Sequence, residues 1–286
     1  MRRTFGSRTF DLARQVVVIA IVNRTPDSFY DRGRTFAIDA AVGLVETALA
    51  EGADWIDVGG VKAAPGARVD AAEELRRVLP VIEAARARSD AVLSVDTFDP
   101  EVARQALAAG ADVVNDSSGL HDEAVADAVA EAGAGLIVMH NVGQPRTPAF
   151  RPAYGDVVAE VGAFLLARAA AAELRGVPAE RIVLDPGHDF HKNTWHSLEL
   201  TRRLGELAGL GYPLMVALSN KDFVGETLGL GVDERLEGSL AALVASVMAG
   251  ARLVRVHDVR ASVRAARMTE AIMGLRPPAL PRRGLA

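Results

Sequence analysis

The chain has 286 residues, of which 50% are hydrophobic and 24% are charged, a composition that is typical of a globular protein and not of a disordered one. It contains no cysteine, which excludes disulfides, thiolate metal sites and cysteine nucleophiles. The formal net charge of -5 argues against a nucleic-acid partner. Because the chain also lacks an apolar stretch of the roughly 18–20 residues that span a bilayer, and an apolar leader, we expect a cytoplasmic protein without a membrane partner.

Apolar runs that end in polar residues recur along the chain, and a helical pattern follows each of them. The first, Val16–Val22, is continuous and rich in β-branched residues, which indicates a strand buried on both faces of a parallel sheet. A short hairpin around Gly6 and Ser7 is predicted before it. Further strands are predicted at 55–58, 91–95, 112–114, 136–139, 181–184, 213–218 and 252–256. Helices are predicted at 38–51, 71–88, 100–109, 122–132, 156–175, 195–207, 237–248 and 262–275.

Eight strand–helix units without a linker predict an α/β fold of the (β/α)8 TIM barrel type. We expect a single domain over residues 1–286, with the hairpin in residues 1–15 and a loose tail, rich in proline and arginine, at 277–286. A doubly wound open sheet is the alternative architecture. The absence of a Gly-x-Gly-x-x-Gly motif after the first strand argues against a dinucleotide-binding form of that sheet.

Polar side chains stand at nearly every predicted strand end, and in a barrel these ends meet at one mouth. They are Asn23, Asp57, Asp96, Asn115, His140, Asp185, Lys221, Arg255 and His257. For Asp96 and Asp116, a role as the cap of the next helix remains open. Acceptors follow strands two, three, four and six, whereas cations follow strands seven and eight. We therefore expect a site with two ends, of which one accepts N–H donors of a ligand and the other holds an anion such as phosphate.

Eight short segments carry a resemblance that covers nearly the whole chain. In chain order they are Ile21–Phe29, Asp57–Gly60, Ser94–Thr97, Val114–Asp116, Met139–His140, Asp185–Gly187, Leu218–Lys221 and Arg255–Val259. This ordered set resembles the dihydropteroate synthase family. Part of it is shared with a wider family of pterin-binding barrels that includes methyltransferases handling folates. The resemblance implies a transferase of the folate pathway on a (β/α)8 barrel.

The resemblance also implies a reaction and a role for each matching residue. The family joins p-aminobenzoate to the methylene carbon of 6-hydroxymethyl-dihydropterin pyrophosphate, and pyrophosphate leaves with Mg²⁺. The residues expected to line the pterin pocket are Asp96, Asn115, Met139, Asp185 and Lys221. Asn23 is expected to hold Mg²⁺ and the diphosphate, Arg255 and His257 to form the anion pocket, and Ser219 to lie near the aminobenzoate. The expected catalytic residues are Asp96, Lys221 and Asn23, with Asp96 stabilising the positive charge that develops on the pterin.

The second loop departs from the family pattern, which reads Gly-Gly-Glu-Ser-Thr-Arg-Pro-Gly. This chain has Gly59-Gly-Val-Lys-Ala-Ala-Pro-Gly66, so that Ala63 and Ala64 stand where the family has a hydroxyl and an arginine. After strand seven, the family's Ser-Arg-Lys has Asn220 as its middle residue. Because loss of one preorganised charge contact costs about 2–4 kcal/mol of transition-state stabilisation, we expect a divergent paralogue with weak, altered or lost synthase activity.

Two further departures lie in the loops after strands six and one. A glycine-rich run after strand six has become His188–Lys192, and Arg24 stands where a small apolar residue is usual. Both changes leave the pterin-facing residues in place. The rebuilt part of the cleft is therefore the outer one, which handles phosphate and aminobenzoate in the family.

Two other functions remain open from the sequence, and a third is disfavoured. His188, His191 and His196 lie close together in the chain, as in a metal-dependent hydrolase barrel, although such barrels usually open with a His-x-His pair. The altered loops also suit a non-catalytic binding or regulatory barrel. A folate methyltransferase module is disfavoured, because the chain has no additional domain for a corrinoid partner.

The expected partners are a pterin pyrophosphate, p-aminobenzoate or another aromatic amine, and a second copy of the chain. The segment 237–248 is apolar on nearly all sides, which indicates a helix that is buried or lies at a subunit interface. We therefore expect a homodimer through the last helices, an arrangement that the family also uses.

Overall fold

The computed structural model describes residues 1–24, 38–61, 66–143 and 153–283. Ten strands lie in these ranges: β1 (Arg2–Phe5), β2 (Arg8–Asp11), β3 (Val17–Asn23), β4 (Trp55–Gly59), β5 (Val92–Asp96), β6 (Val113–Asp116), β7 (Gly135–Met139), β8 (Ile182–Asp185), β9 (Met215–Val216) and β10 (Leu253–Val256). Ten α-helices accompany them in the same ranges: α1 (Ile38–Ala50), α2 (Ala71–Arg88), α3 (Pro100–Ala108), α4 (Ala124–Ala132), α5 (Val157–Leu174), α6 (Thr194–Arg202), α7 (Leu204–Ala208), α8 (Asp222–Leu228), α9 (Leu236–Met248) and α10 (Val259–Ile272).

Strands β3 to β10 form one parallel sheet that closes into a ring. Strands β3 to β8 pair in chain order, while β10 pairs with both β3 and β9. A parallel bridge between Leu184 and Leu214, together with the N–H of Leu184 donating to the carbonyl of Pro213 at 2.9 Å, joins β8 to the segment before β9. The predicted (β/α)8 barrel is therefore confirmed, and the open-sheet alternative was wrong.

Two predicted elements are broken up in the structure, and one observed helix was not predicted. The strand predicted at 213–218 contains only Met215 and Val216. The helix predicted at 195–207 is interrupted at Arg203, whose backbone leaves the helical conformation while its guanidinium binds carboxylates on both sides of the break. Helix α8 was not predicted, since seven residues ended by Gly229 in a left-handed conformation are too few to establish a periodic pattern.

The N-terminal hairpin seals the amino-terminal end of the barrel. Strands β1 and β2 pair antiparallel, which confirms the predicted hairpin. Phe5, Phe10 and Leu12 are each 2% exposed and pack in one cluster with inward side chains from every strand of the ring. The rings of Phe5 and Trp55 lie 5.2 Å apart. Ligands therefore have no room at this end, and the opposite end of the barrel is the mouth.

Strand geometry determines what the mouth contains. Side chains alternate along a strand, so every second residue after this apolar cluster also points into the barrel. The inward row of β4 runs from Trp55 to Asp57, and that of β10 runs from Leu253 to Arg255. The barrel interior thus changes from apolar to polar at the next inward-facing residue of each of these two strands.

Beyond the barrel, residues 277–283 are exposed and contain neither helix nor strand. Within the described ranges, every helix is too short or too polar to cross a lipid bilayer.

Candidate functional site

One row of polar side chains crosses four neighbouring strands at the mouth. Asn23 pairs in register with Gly59, Gly59 with Asp96, and Asp96 with Asn115. A Cβ atom at Gly59 would lie 2.8 Å from Oδ1 of Asn23, so glycine leaves the space that the asparagine side chain occupies. The structure therefore brings three of the predicted site residues to one level of the barrel.

A buried ion-pair network lies directly beneath this row. Asp57 is 1% exposed and accepts hydrogen bonds from the hydroxyl of Ser94, from Nδ2 of Asn115 at 3.2 Å and from Nε of Arg255 at 2.6 Å. The other end of the guanidinium donates from Nη2 to Asp96 at 2.8 Å. Because both carboxylates share one arginine, the network holds Asn115, Asp96 and Arg255 in fixed relative positions.

The expected separation of charge in the mouth is incomplete, because Arg255 lies among the acceptors. It starts on β10, on the side where the cations were predicted, but its guanidinium reaches carboxylates on β4 and β5. A buried cation needs counter-charges at hydrogen-bond distance, and Asp57 and Asp96 supply them. The cations that remain near the opposite wall are Lys221 and Lys192.

Asp96 belongs to the mouth and not to a helix cap. Burial raises the pKa of its carboxyl to about 6, Arg255 opposes that rise, and the negative charge of Asp57 adds to it. Ser117 also donates its hydroxyl to Asp96 at 3.0 Å. The cap of α3 is instead Asp99, whose carboxylate accepts from the backbone of the first helical turn. The open assignment of Asp96 is thus resolved in favour of the mouth.

Asp116 is not the cap of the next helix, the role that the sequence left open: the residue before α4 is Glu123, and Asp116 holds a turn instead. Its Oδ1 accepts from the N–H of Ser118 at 2.7 Å, from the hydroxyl of Ser118 at 2.6 Å and from the N–H of Leu120 at 3.2 Å. Leu120 has a φ of 55°, a left-handed conformation that this turn imposes. Asp116 therefore holds the turn after β6.

Asp185 and Lys221 form the opposite wall of the mouth. Asp185 is 3% exposed, pairs in register with Met139 and accepts from the N–H of Gly187 at 2.8 Å. Burial raises the pKa of its carboxyl, while that hydrogen bond, Lys221 and Arg255 oppose the rise. Burial likewise lowers the pKa of Lys221. The buried carboxylate and the lysine therefore lie near each other and stabilise their charged forms.

Ser219 and His257 meet at the edge between β9 and β10. The N–H of His257 donates to the hydroxyl of Ser219 at 3.2 Å. Both residues are partly exposed, and each lies just beyond the end of its strand. The structure thus brings the residue predicted for the aminobenzoate next to one predicted for the anion.

Asn220 is turned away from solvent. It is 5% exposed and has a φ of 58°, and its N–H donates to the hydroxyl of Ser239 at 2.9 Å. Its carbonyl accepts from Nη1 of Arg235 at 3.0 Å, and that guanidinium also binds Asp222. The position that carries an arginine in the family pattern therefore packs against α9.

Arg24 leaves the mouth as well. Its Nη1 atom donates to the carbonyls of Arg76 and Arg77 in α2, at 2.8 and 3.0 Å. Pro80 has no N–H to bind the carbonyl four residues before it, so Arg24 satisfies an acceptor that the proline leaves open. The altered second-loop residues Lys62, Ala63 and Ala64, and the first-loop residues 25–29, lie outside the described ranges.

Sequence reasoning missed Lys192 as a member of the site. It is 7% exposed, and its ammonium donates to Nδ1 of His140 at 2.8 Å and to the carbonyls of Gly187 and Phe190, both at 2.9 Å. Burial lowers the pKa of Lys192 to about 7, and it lowers that of His140 to about 3. A compositional signal was available, because the chain contains only three lysines, Lys62, Lys192 and Lys221, and all three follow strand ends.

The histidines of the hydrolase hypothesis bind different partners. Nε2 of His188 lies 3.2 Å from the hydroxyl of Thr201, and Nδ1 of His191 lies 2.9 Å from Oδ1 of Asn141. His196 completes the capping box of α6. In residues 1–24, 38–61, 66–143 and 153–283, no three side chains of the metal-ligating types are grouped as a metal ion requires.

Comparison with known proteins places these features in a family. The family described as pterin binding enzymes matches residues 19–257. The chain is 51% identical over 280 residues to "Inactive dihydropteroate synthase 2" of Mycobacterium leprae, covering 96% of both chains, and 42% identical to dihydropteroate synthase of Escherichia coli, covering 90% and 91%. Among solved structures, the dihydropteroate synthase of Xanthomonas albilineans with 4-aminobenzoic acid is 42% identical and has a TM-score of 0.87, covering 98% of this chain and 99% of that one.

Replacement of the shared arginine tests the ion-pair network. We expect Arg255→Met to lower the free energy of unfolding by about 3–5 kcal/mol at pH 7.5, because two buried carboxylates lose their counter-charge. At pH 5 the loss should be smaller, since Asp96, whose folded-state pKa is raised to about 6, takes up a proton and the repulsion is relieved. Urea unfolding at both pH values measures this. Arg260→Met is the control at an exposed ion pair, and equal losses at the two pH values would contradict the network.

Proposed function

The chain belongs to the pterin-binding enzyme family, and on that premise we propose that it binds a reduced pterin pyrophosphate in the barrel mouth, as a divergent relative of dihydropteroate synthase with lost or strongly reduced condensing activity. The observation that carries the proposal is the set of polar side chains that point into the barrel at its mouth. It places carboxylate and amide groups on one wall and a carboxylate with a lysine on the other. The outer residues, in contrast, depart from the family pattern.

A dihydropterin ring carries N–H donors at N3, at N8 and on the 2-amino group, and these alternate with acceptors at O4, N1 and N5, so donors face more than one side of the pocket. Asp96, Asn115 and Asp185 supply acceptors for the donors, and Lys221 supplies a donor for a ring acceptor. Met139 is 5% exposed beside Asp185 and offers an apolar contact to a flat ring. This combination suits a planar, nitrogen-rich heterocycle better than a sugar or an aliphatic acid.

The diphosphate is assigned to the side of the mouth formed by β3 and β10. Mg²⁺ prefers hard oxygen ligands and usually takes one or two from a protein and the rest from phosphate and water. The amide oxygen of Asn23, above the space left by Gly59, fits that preference. When bound, the metal would neutralise charge on the departing pyrophosphate. His257 lies on the same side, just beyond β10, and its ring would offer a hydrogen-bond donor to a phosphate oxygen.

The reaction of the family needs an amine nitrogen to attack the methylene carbon while the bond from that carbon to the pyrophosphate oxygen breaks. Asp96 is placed to stabilise positive charge on the pterin during this step. The amine needs no activated side chain, but it must be held in line with the breaking bond. In this chain the residue before Lys221 is Asn220, which packs against Ser239. It therefore offers no positive charge to the carboxylate of an aminobenzoate.

A second candidate function is a non-catalytic protein that binds a pterin and signals its presence. The buried, left-handed Asn220 favours it, because this side chain is absorbed into the fold. Both candidates share the pterin pocket and differ in turnover. The absence of cysteine in the chain and the folate-type ligand support action in the cytoplasm for either one.

Calorimetry tests the pocket. We expect 6-hydroxymethyl-dihydropterin pyrophosphate to bind with Mg²⁺ present, and p-aminobenzoate to give no heat when added to the pterin-bound protein. Asp185→Asn should weaken pterin binding roughly ten- to a hundredfold, the range for a hydrogen bond to a charged group. Asp122→Asn, at an exposed carboxylate outside the mouth, should bind as the unaltered chain does. Equal affinity in both variants would reject the pocket.

A pyrophosphate-release assay with a panel of aromatic amines tests the loss of condensation. The unaltered chain should release pyrophosphate slowly with every amine. Ala64→Arg with Asn220→Arg should raise the rate at least about a hundredfold, since one preorganised charge contact accounts for a factor of 10²–10³. Ala87→Arg with Leu174→Arg, which adds the same charge at exposed helix positions, is the control. Turnover by the unaltered chain at the rate of an ordinary synthase would contradict the divergence.

The last helices are proposed as a homodimer interface. Met248 of α9 and Met268 and Ile272 of α10 are 58%, 62% and 63% exposed. Large apolar side chains on neighbouring helices form a patch that association would cover. Light scattering at micromolar concentration should give the mass of two chains, and Met268→Asp should give that of one. A monomer for the unaltered chain would contradict the proposed interface. Leu174→Asp, at an exposed position of α5, is the control and should leave the mass at two chains.

A further inference from the structure

The segment between β8 and α6 has an unusual backbone. Gly187, Asp189 and His191 have φ values of 63°, 67° and 50°, so every second residue is left-handed. Glycine adopts this conformation freely, whereas aspartate and histidine adopt it at a cost. A non-glycine residue in such a position is retained when its side chain makes contacts that glycine cannot make.

The carboxylate of Asp189 makes two such contacts, and a backbone hydrogen bond supports one of them. Its Oδ1 accepts from the hydroxyl of Ser197 at 3.0 Å, and its own N–H donates to that hydroxyl at 3.2 Å. Its Oδ2 accepts from the N–H of Phe223 at 3.3 Å, in the first turn of α8. Lys221, the residue before α8, has no side-chain acceptor to cap the helix. Asp189 supplies that acceptor from the neighbouring loop.

The same loop also holds the other end of Lys221. The ammonium lies 4.4 Å from the centre of the Phe190 ring, a cation–π contact. The carbonyl of Phe190 is in turn bound by the ammonium of Lys192 at 2.9 Å. The backbone that follows Lys221 and its charged tip are therefore both fixed by consecutive residues of one loop.

We propose that Asp189 is a positioning residue for Lys221: its carboxylate anchors the first turn of α8 and provides a counter-charge for the lysine, which aims the ammonium into the mouth. Asp189 does not touch the ligand in this arrangement. The consequence for ligand affinity rests on the proposed pterin binding, whereas the effect on Lys221 does not.

The charged groups that face Lys221 determine the expected direction. Burial lowers the pKa of the lysine, Asp189, Asp185 and Asp222 oppose that effect, and Arg255 adds to it. Lys192, on the same loop as Asp189, is a further positive charge that interacts with Lys221. Removal of the charge of Asp189 should therefore lower the pKa of Lys221 further. Asp222 provides a matched control, because it is 66% exposed and already paired with Arg235.

Nitrogen-15 NMR of lysine side chains measures this directly, since the chain has only three lysines and Lys221→Arg identifies one of the signals. In Asp189→Asn, which keeps an acceptor oxygen and tolerates the left-handed backbone, the midpoint of the Lys221 titration should move to lower pH. Affinity for 6-hydroxymethyl-dihydropterin pyrophosphate should fall about tenfold, as expected when a charge-assisted contact is misaligned. Asp189→Gly, in which the backbone is unstrained, should behave in the same way.

An unchanged Lys221 midpoint in both Asp189 variants would overturn the proposal, and so would an equal shift in Asp222→Asn. A shift specific to Asp189 in a chain that binds no pterin would support the positioning role and reject the proposed function. Unfolding curves of all variants confirm that the compared proteins are folded. The Lys221 titration therefore tests the positioning role of Asp189, whereas ligand binding tests the proposed function.

Discussion

Arg255 is the residue on which the interior of the mouth depends. Two carboxylates on adjacent strands, Asp57 and Asp96, point into a ring of low polarity, where unpaired charges are costly. The guanidinium binds both of them, at 2.6 and 2.8 Å, and so provides the counter-charge that two carboxylates in one narrow barrel need. Asn115 joins the same network, so its amide is oriented before a ligand arrives. The acceptor wall is thus preorganised by an internal ion pair.

Much of this arrangement could be predicted from the sequence, because strand periodicity determines it. A buried apolar run that ends in a polar residue fixes both the strand and the direction of its last side chain, and Asp96, Asn115 and Asp185 followed from that rule. Helix α8 could not be predicted, because its 7 residues form about two turns, too few to show a helical repeat of apolar residues. The pairing of Arg255 with carboxylates across the barrel could not be predicted either. A sequence shows on which strand a long side chain begins, but not where its charged end lies.

The divergent positions separate into two kinds. Asn220 and Arg24 have been absorbed into the scaffold, where one packs on Ser239 and the other caps a carbonyl in α2. Asp189 and Lys192, in contrast, bind the backbone that follows Lys221 and Asp185, the residues proposed to contact the pterin. Loss of outer contacts with reinforcement of inner ones is the pattern expected of a chain that keeps a ligand and gives up a reaction.

The most direct measurement of the central claim is a crystal structure of the chain with 6-hydroxymethyl-dihydropterin pyrophosphate. The account predicts the bicyclic ring between the wall of Asp96 and Asn115 and the wall of Asp185 and Lys221, with its diphosphate toward Asn23 and His257. A ring bound outside the barrel, or inside it without contact to these side chains, would contradict the account.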